Sequence, residues 1–185
     1  MSTSQYNYKL LKNYGKDIFI SKKVEIRRPK LVSIGNHIAI DTGFYCTTAL
    51  EMKDYIHIGP YVTVIGGAHG LLKLGNFTTI TAGCRIICVS DSFAGDGLVG
   101  TMVPKQFLNK LISNPVIFKD FSVIGTNTVV MPGVTIGEGS VVGACSFVNE
   151  DTKPWTIYVG IPARPIKVRP KNKIIEYAHK LNYTK

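Results

Sequence analysis

The chain is poor in acidic residues and in long apolar runs, and each shortage excludes a class of protein. Its 185 residues include 12 acidic side chains against 22 lysines and arginines. No apolar run approaches the ~20 residues that a membrane span needs. The opening segment MSTSQYNYKLLKNYG also lacks the apolar centre of a secretory signal. We therefore expect a cytoplasmic protein without a membrane span.

The cysteines and histidines show no spacing typical of a metal site or a disulfide framework. No two cysteines form a CxxC or zinc-finger pair. In a chain without a secretory signal, we expect them to be small, buried, reduced side chains. The histidines are also too far apart in sequence to suggest a shared ion, so we predict no metal. The four cysteines are Cys46, Cys84, Cys88 and Cys145.

A net charge of +10 raises nucleic acid as a partner. The basic residues are not evenly spread, however, and crowd the C-terminal segment. They form either a solvated tail or a site for the phosphates of a small molecule. No helix-turn-helix pattern or interleaving of aromatic and basic residues supports nucleic acid, which we do not expect to bind. The crowded residues are Arg164, Lys167, Arg169, Lys171, Lys173, Lys180 and Lys185.

An aliphatic residue returns every six positions through most of the chain. A period of six fits neither an amphipathic helix nor a plain hairpin meander. It predicts short strands joined by turns, and glycine often follows the aliphatic residue where a corner is needed. The repeating positions include Ile34, Ile40, Met52, Ile58, Val64, Leu74, Ile80, Ile86, Ile124, Val130, Ile136, Val142 and Val148.

Three hexads make one coil of a triangular prism, and adjacent coils pair in parallel about 4.8 Å apart. Coils should start near residues 34, 52, 74, 118 and 136. We predict an all-β parallel helix over residues 1–170 with a loop inserted at 92–117. A short helical tail should follow at 171–185.

The segment VVMPGVTIGEGSVVGACSFVNEDTKPWTIYVGIPARPIKVRP resembles the last coils and the exit of hexapeptide-repeat acyltransferases. The resemblance covers roughly residues 18–170 and implies a left-handed β-helix. The interruption SDSFAGDGLVGTMVPKQFLNKLISNPV is most similar to that of enzymes that make or decorate bacterial surface polysaccharides. Membership of this branch implies acetyl-CoA as co-substrate and a homotrimer with the donor in the groove between prisms.

Counting within the coils predicts a row of titratable side chains on one face. Glu51, His69 and Asp91 each lie seventeen positions after the start of a coil. We expect them to form an outward ladder with Cα atoms about 5 Å apart. A histidine between two carboxylates is a plausible general base, because one carboxylate fixes its tautomer. The alternative is an exposed histidine with surface ion pairs.

The point where the loop leaves the prism reads Ser90-Asp91-Ser92-Phe93. Many sugar O-acetyltransferases of this family carry a catalytic histidine there, and this chain departs from that pattern. It resembles members that act on amino sugars, in which an acidic residue near the loop holds the amine. Ser90 and Phe93 are candidate contacts to the substrate.

We expect acetyl-CoA to lie along the C-terminal coils, where small residues let its pantetheine arm approach the backbone. Basic side chains around the exit of the prism can meet its phosphates. The candidate contacts are Gly125, Gly143, Ala144, Arg164, Lys167 and Arg169.

The first functional hypothesis is acetylation of the amino group of a nucleotide-linked deoxyamino sugar for surface polysaccharide. The second is sugar O-acetylation with the same donor, and the third is a non-catalytic assembly module.

The loop at residues 92–117 carries more apolar side chains than a fully solvated loop would. We therefore predict a homotrimer in which each site combines residues of two chains.

Overall fold

The computed structural model describes residues 5–183 as a three-sided prism of stacked parallel strands. The chain visits the three faces in turn, and each circuit forms one coil. The first face contains β1 (Ile18–Ile20), β4 (Ile38–Ile40), β7 (Ile56–Ile58), β10 (Thr79–Ile80), β15 (Val123–Ile124), β18 (Val141–Val142) and β20 (Thr156–Val159).

The other two faces are shorter. The second face contains β2 (Glu25–Ile26), β5 (Tyr45–Cys46), β8 (Thr63–Ile65), β11 (Arg85–Ile87), β16 (Val129–Val130) and β19 (Phe147–Val148). The third face contains β3 (Val32–Ile34), β6 (Ala49–Met52), β9 (Leu71–Leu74), β14 (Val116–Phe118) and β17 (Thr135–Ile136). Short 3-10 turns occupy Tyr8–Leu10, Pro29–Leu31 and Lys105–Phe107.

The predicted coil starts are confirmed by the register of the third face. Five buried residues stack there in parallel register, one from each coil: Ile34, Met52, Leu74, Phe118 and Ile136. Full burial of such a side chain contributes about 1.5–3 kcal/mol. The six-residue period therefore builds one continuous column of core. The left-handed β-helix predicted from the resemblance is the fold of this protein.

Three edges separate the faces, and each has its own character. The glycine edge joins the first face to the second and comprises residues 41–43, 59–61, 81–83, 125–127 and 143–145. The hairpin edge joins the second face to the third and comprises residues 47–48, 66–70, 88–115 and 131–133. The aromatic edge joins the third face to the first, and its ring-bearing residues are His37, Tyr55, Phe77, Phe121 and Trp155.

The glycine edge turns the chain in the same way at every coil. Its third residue has a positive φ between 55° and 72° in five coils. This left-handed conformation suits glycine and asparagine best, and the chain supplies several residue types there. The residues are Gly43, Tyr61, Gly83, Asn127 and Cys145. The regular spacing keeps the edge straight along the prism.

The hairpin edge is interrupted twice. A turn at residues 66–70 closes with a 2.9 Å hydrogen bond from the Gly70 amide to the Gly66 carbonyl. One coil later, β12 (Val89–Asp91) and β13 (Leu111–Ser113) form an antiparallel hairpin. The predicted loop boundaries of 92–117 were wrong at both ends, because the excursion begins with β12 and residues 116–118 already form β14.

The C-terminal segment folds back over the first face. Strand β21 (Arg164–Val168) pairs antiparallel with β20, and helix α1 (Asn172–Lys180) follows. The Tyr183 hydroxyl donates to the Asp54 carboxylate, which ties the tail to the aromatic edge. The predicted helical tail is therefore present between residues 172 and 180, while residues 184–185 lie outside the described part. No helix among the described residues is long and apolar enough to cross a membrane.

Candidate active site

His69 lies at the hairpin edge, in the turn at residues 66–70. The amides of Gly66 and Gly67 donate to Thr47 Oγ1 over 3.1 and 3.3 Å, which anchors this turn to the preceding coil. The His69 side chain is exposed. Its carbonyl accepts a 3.4 Å hydrogen bond from Ser113 Oγ at the base of the hairpin. The turn and the hairpin therefore lie against each other.

Asp91 projects from the same side of the hairpin. Ser113 pairs with Val89 across the two strands, and Asp91 lies two residues further along β12. Alternate residues of a strand share a face, so Asp91 lies on the hairpin face that contacts the His69 turn. Ser90 lies on the opposite face, and Phe93 beyond the strand is exposed. The structure thus places His69 and Asp91 on the same side of the hairpin edge, and a catalytic role for either residue stays a prediction.

The predicted Glu51–His69–Asp91 ladder does not form. Glu51 pairs with Ser33 and Lys73 on the third face, and its carboxylate lies 3.0 Å from Lys73 Nζ. The count was wrong because the coil from Met52 contains four extra residues in the turn before Leu71–Leu74. Lys73, rather than His69, therefore occupies the position that corresponds to Glu51.

The small residues predicted to receive acetyl-CoA lie together on the glycine edge. Gly125 and Gly143 occupy the first position of that edge in adjacent coils, and Ala144 is exposed beside them. A Cβ at Gly125 would overlap the Ala144 nitrogen, and one at Gly143 would lie 2.7 Å from Val159 Cγ1. Close stacking of the coils thus accounts for both glycines, and their contact with CoA stays a prediction.

The three basic candidates divide into two groups. Arg164 and Lys167 are exposed on β21, and Arg164 lies 3.5 Å from Glu150. Arg169 instead donates to the carbonyls of Phe121 and Gly139, over 2.8 and 3.0 Å, across the first face from the glycine edge. Burial lowers the pKa of its guanidinium. Nη1 of Arg169 is therefore engaged at the aromatic edge, away from Gly125 and Gly143, and contact of Arg169 with CoA stays a prediction.

The structure pairs His57, a residue without a predicted role, with a carboxylate. His57 Nε2 lies 2.9 Å from Asp41 Oδ2, and the imidazole is 50% exposed. Asp41 begins the glycine edge in the coil before His57. A coil of eighteen residues makes Ala39 the direct neighbour of His57 and Asp41 a diagonal one. The same register used for the core could therefore have found this pair.

A second histidine–carboxylate pair lies on the aromatic edge. His37 Nδ1 is 2.8 Å from Asp17 Oδ2, and its ring stacks on Tyr55 with centroids 4.3 Å apart. Tyr55 in turn stacks on Phe77. This histidine therefore belongs to a column of rings that stabilises the edge.

No group of three or more potential metal ligands occurs among residues 5–183.

Comparisons with known proteins identify the family and support the fold. A family profile described as the bacterial transferase hexapeptide, with six repeats, matches residues 115–150. The dTDP-4-amino-4,6-dideoxy-D-glucose acyltransferase of Escherichia coli is 32% identical over 170 residues, which is 89% of this chain and 85% of that enzyme. The chain belongs to the hexapeptide-repeat acyltransferases.

Solved structures of the N-acyltransferase AntD from Bacillus cereus share the whole fold. A variant of AntD with dTDP-4-amino-4,6-dideoxyglucose and coenzyme A superposes with a TM-score of 0.90 at 33% identity over 98% of both chains. AntD with dTDP and 3-hydroxybutyryl-CoA gives 0.90 at 33% identity, over 97% of this chain and 96% of AntD. Membership of an acyltransferase family excludes the non-catalytic assembly module considered from the sequence.

Proposed function

We propose that this acyltransferase transfers an acetyl group from acetyl-CoA to the amino group of a nucleotide-linked deoxyamino sugar. The observation that carries the proposal is the likeness, over 98% of both chains, to AntD bound to dTDP-4-amino-4,6-dideoxyglucose and coenzyme A. Attack by a neutral amine on the thioester gives an amide and releases CoA. Acetyl-CoA and sugar nucleotides are intracellular metabolites, so we expect a cytoplasmic enzyme.

Two finer points of the proposal need their own measurements. AntD has also been solved with 3-hydroxybutyryl-CoA, so a longer acyl group is a direct alternative to acetyl. Supply of the product to surface polysaccharide is the second point, and it follows from the resemblance of the interruption alone.

The donor would lie along the glycine edge. Arg164 and Lys167 on β21 provide positive charge at the C-terminal end of the prism, where the phosphates of CoA can bind. From there the pantetheine arm would extend past Gly143 and Gly125 toward earlier coils. These two positions lack side chains that would hold the arm away from the backbone.

The acceptor would lie at the hairpin edge. Asp91 is half-buried on the hairpin face that contacts the His69 turn. Its carboxylate can accept a hydrogen bond from the sugar amine, and the exposed Phe93 ring can cover the sugar or its nucleotide. Asp91 and Phe93 are the proposed acceptor contacts, with His69 beside them, whereas Ser90 lies on the opposite face of the hairpin. Glu51 does not belong to the proposed site, because its carboxylate is paired with Lys73 on the third face.

A single chain separates these two half-sites by the width of the second face. The six residues of one hexad span at most roughly 20 Å, whereas the amine and the thioester must come within bonding distance. If the donor follows the glycine edge, a neighbouring chain must bring its hairpin edge to it. This requirement supports the predicted homotrimer, because threefold closure makes three equivalent grooves.

The apolar side chains of the hairpin loop support the same assembly. Several are exposed in the single chain, including Phe93 at 71% and Met102 at 94%. Exposed apolar area of this kind marks a contact surface more often than a solvated loop. Sedimentation should give a trimer at assay concentration, and an active monomer would contradict the two-chain site.

The function is tested by measuring release of CoA with a matrix of donors and acceptors. Donors are acetyl-CoA and 3-hydroxybutyryl-CoA, and acceptors are dTDP-4-amino-4,6-dideoxyglucose and its 4-hydroxy counterpart. Turnover with acetyl-CoA and the amine is the expected result. Turnover of the hydroxylated acceptor alone would establish O-acetylation instead, and preference for the longer donor would correct the acyl group.

A further inference from the structure

We propose that His57, oriented by Asp41, is the residue that accepts the proton of the acceptor amine. This inference rests on the proposed function and deepens it. It assigns to His57 the part that the residue count predicted for His69. Three features carry it: the geometry of the pair, the place of Asp41 on the glycine edge beside strand β7, and the difference from the other histidine–carboxylate pair.

The hydrogen bond fixes which ring nitrogen of His57 is available. Nε2 lies 2.9 Å from Asp41 Oδ2, and a carboxylate accepts the proton that Nε2 carries. Neutral His57 then has its lone pair on Nδ1. Among residues 5–183, no hydrogen bond engages Nδ1. With half of the imidazole exposed, Nδ1 is free to act as an acceptor toward a ligand.

The position of Asp41 connects the pair to the donor path. The first residue of the glycine edge in each coil donates its amide to a first-face strand carbonyl of the next coil, which aligns Asp41, Gly59, Thr81, Gly125 and Gly143. Four steps of about 4.8 Å separate Asp41 from Gly143, roughly 19 Å in all. That distance is comparable with an extended pantetheine arm. If the phosphates bind at the basic C-terminal end, the thioester points toward the coil of His57.

Two threonines lie along the same edge: Thr81 is one coil before Gly125, and Thr126 directly follows Gly125. Thr81 Oγ1 donates to the Ile124 carbonyl over 2.8 Å and accepts from Thr126 Oγ1 over 3.3 Å. These hydroxyls are held by the protein, and Thr81 adds only a short side chain at the first position of the edge. No residue of the edge between Asp41 and Gly125 is longer than threonine at the first position.

The proton balance of the step is complete without a further reactant. The neutral amine attacks the thioester carbonyl, so a C–N bond forms and the nitrogen becomes positively charged. His57 Nδ1 accepts one proton from that nitrogen, and the Asp41 carboxylate stabilises the imidazolium. The C–S bond then breaks, and the proton passes from His57 to the thiolate to give CoA and the amide.

The pair formed by His37 and Asp17 is the natural control. Its heavy-atom distance of 2.8 Å is nearly the same, and its imidazole is 42% exposed. Its ring, however, is stacked on Tyr55 at the aromatic edge, across the first face from the predicted donor path. A general effect of removing a surface histidine–carboxylate pair would appear in both variants. A catalytic effect would appear only in the variant of His57.

The experiment compares His57→Ala, Asp41→Asn and His37→Ala by steady-state kinetics with acetyl-CoA and dTDP-4-amino-4,6-dideoxyglucose. Titration of CoA checks that each variant keeps its binding site. We expect kcat of His57→Ala to fall by roughly 10²–10³-fold, with CoA affinity within about threefold of wild type. Asp41→Asn keeps a hydrogen-bond acceptor but loses the charge, so its kcat should fall about tenfold. His37→Ala should keep wild-type kcat.

Three results would overturn the assignment. One is a His57→Ala variant as active as His37→Ala, and another is a loss of CoA binding as large as the loss of turnover. The third is unchanged kcat in Asp41→Asn, which would remove the carboxylate from the step. Failure of the proposed function looks different: wild-type protein would bind CoA but release none with any amino sugar nucleotide.

Discussion

The glycine edge and the hairpin edge bound the same face of the prism, yet they are built in opposite ways. The glycine edge repeats one turn conformation from coil to coil, with a positive φ at its third residue. The hairpin edge does not keep one turn conformation from coil to coil, since a turn interrupts it at residues 66–70 and a hairpin interrupts it one coil later. The regular glycine edge is therefore straight along the prism, whereas the irregular hairpin edge projects side chains away from it.

The difference corresponds to the two substrates in the proposed reaction. A long, extended donor suits a straight edge that has short side chains at its first position. An acceptor that must be distinguished from other sugars needs a pocket. The hairpin edge supplies side chains at different distances from the prism, which can line such a pocket. The comparison predicts that changes at the hairpin edge alter acceptor use. Changes at the glycine edge should alter donor binding or the fold itself, except at Asp41, where they should alter kcat.

Removing the hairpin should have the largest effect. Residues 88–115 can be replaced by a copy of 66–71, because Ile87 pairs with Ile65 and Val116 pairs with Leu72 in the preceding coil. We expect the prism to fold and to bind CoA, while kcat/KM for the amino sugar falls by about 10³-fold or more through lost positioning. Thermal unfolding and CoA titration provide the controls. Activity within tenfold of wild type would place the acceptor elsewhere.

Substitution of His69 should give a smaller, acceptor-specific effect. The side chain is exposed beside the hairpin, whereas only its backbone carbonyl is bonded to Ser113. We expect His69→Ala to raise KM for the amino sugar by about tenfold and to change kcat by less than that. Kinetics at saturating acetyl-CoA measure both. A fall in kcat of roughly 10²–10⁴-fold at unchanged CoA affinity would restore His69 as the general base.

The fold could be predicted from the sequence because the six-residue period of aliphatic residues is local and strict. The core residues from Ile34 to Ile136 needed only the repeat, since every hexad buries its aliphatic residue in the same way. The candidate site depends on where the period is broken, and a count along the chain cannot tell on which side of a strand extra residues are inserted. Four extra residues before Leu71 placed Lys73 beside Glu51 and moved His69 into a turn.

Counting positions along the coils could also have predicted the pair formed by Asp41 and His57. Asp41 and His57 are two positions short of one full coil apart, which makes them diagonal neighbours. A count along one row of side chains misses the pair, because its two members lie in adjacent rows. Arg169 shows the opposite limit, because its charge is visible in sequence but its carbonyl partners depend on how β21 and the tail fold back.

Glycine substitutions should separate the edges by stability. A Cβ at Gly125 would overlap the backbone nitrogen of Ala144, so Gly125→Ala forces the coils apart. We expect a loss of about 2 kcal/mol in the free energy of unfolding. Gly67 has a φ of +57°, and a Cβ added there would have no other atom within 4 Å, so Gly67→Ala should cost only about 1 kcal/mol of left-handed strain. Urea denaturation measures both, and equal losses would contradict the difference in packing.

Thiol chemistry should give the smallest effect and test the donor path without a substitution. Cys145 is exposed on the glycine edge beside Ala144, whereas the other three cysteines are buried. Burial raises the pKa of the Cys46 thiol to about 11 and that of Cys88 to about 12, so neither forms appreciable thiolate at pH 8. Burial also raises the pKa of Cys84.

Iodoacetamide at pH 8 should therefore label Cys145 first in the native protein. If the pantetheine arm follows the glycine edge past Gly143 and Ala144, saturating acetyl-CoA should slow that labelling several-fold, because the arm would cover the Cys145 thiol. Acetyl-CoA is the ligand for this test because its sulfur is in a thioester and does not consume iodoacetamide. Peptide mass spectrometry over time identifies the labelled residue, and the acceptor nucleotide alone serves as the control ligand. Protection by the acceptor nucleotide but not by acetyl-CoA would place the acceptor at the glycine edge and the donor at the hairpin edge. Equal labelling with and without acetyl-CoA would place the donor away from this coil.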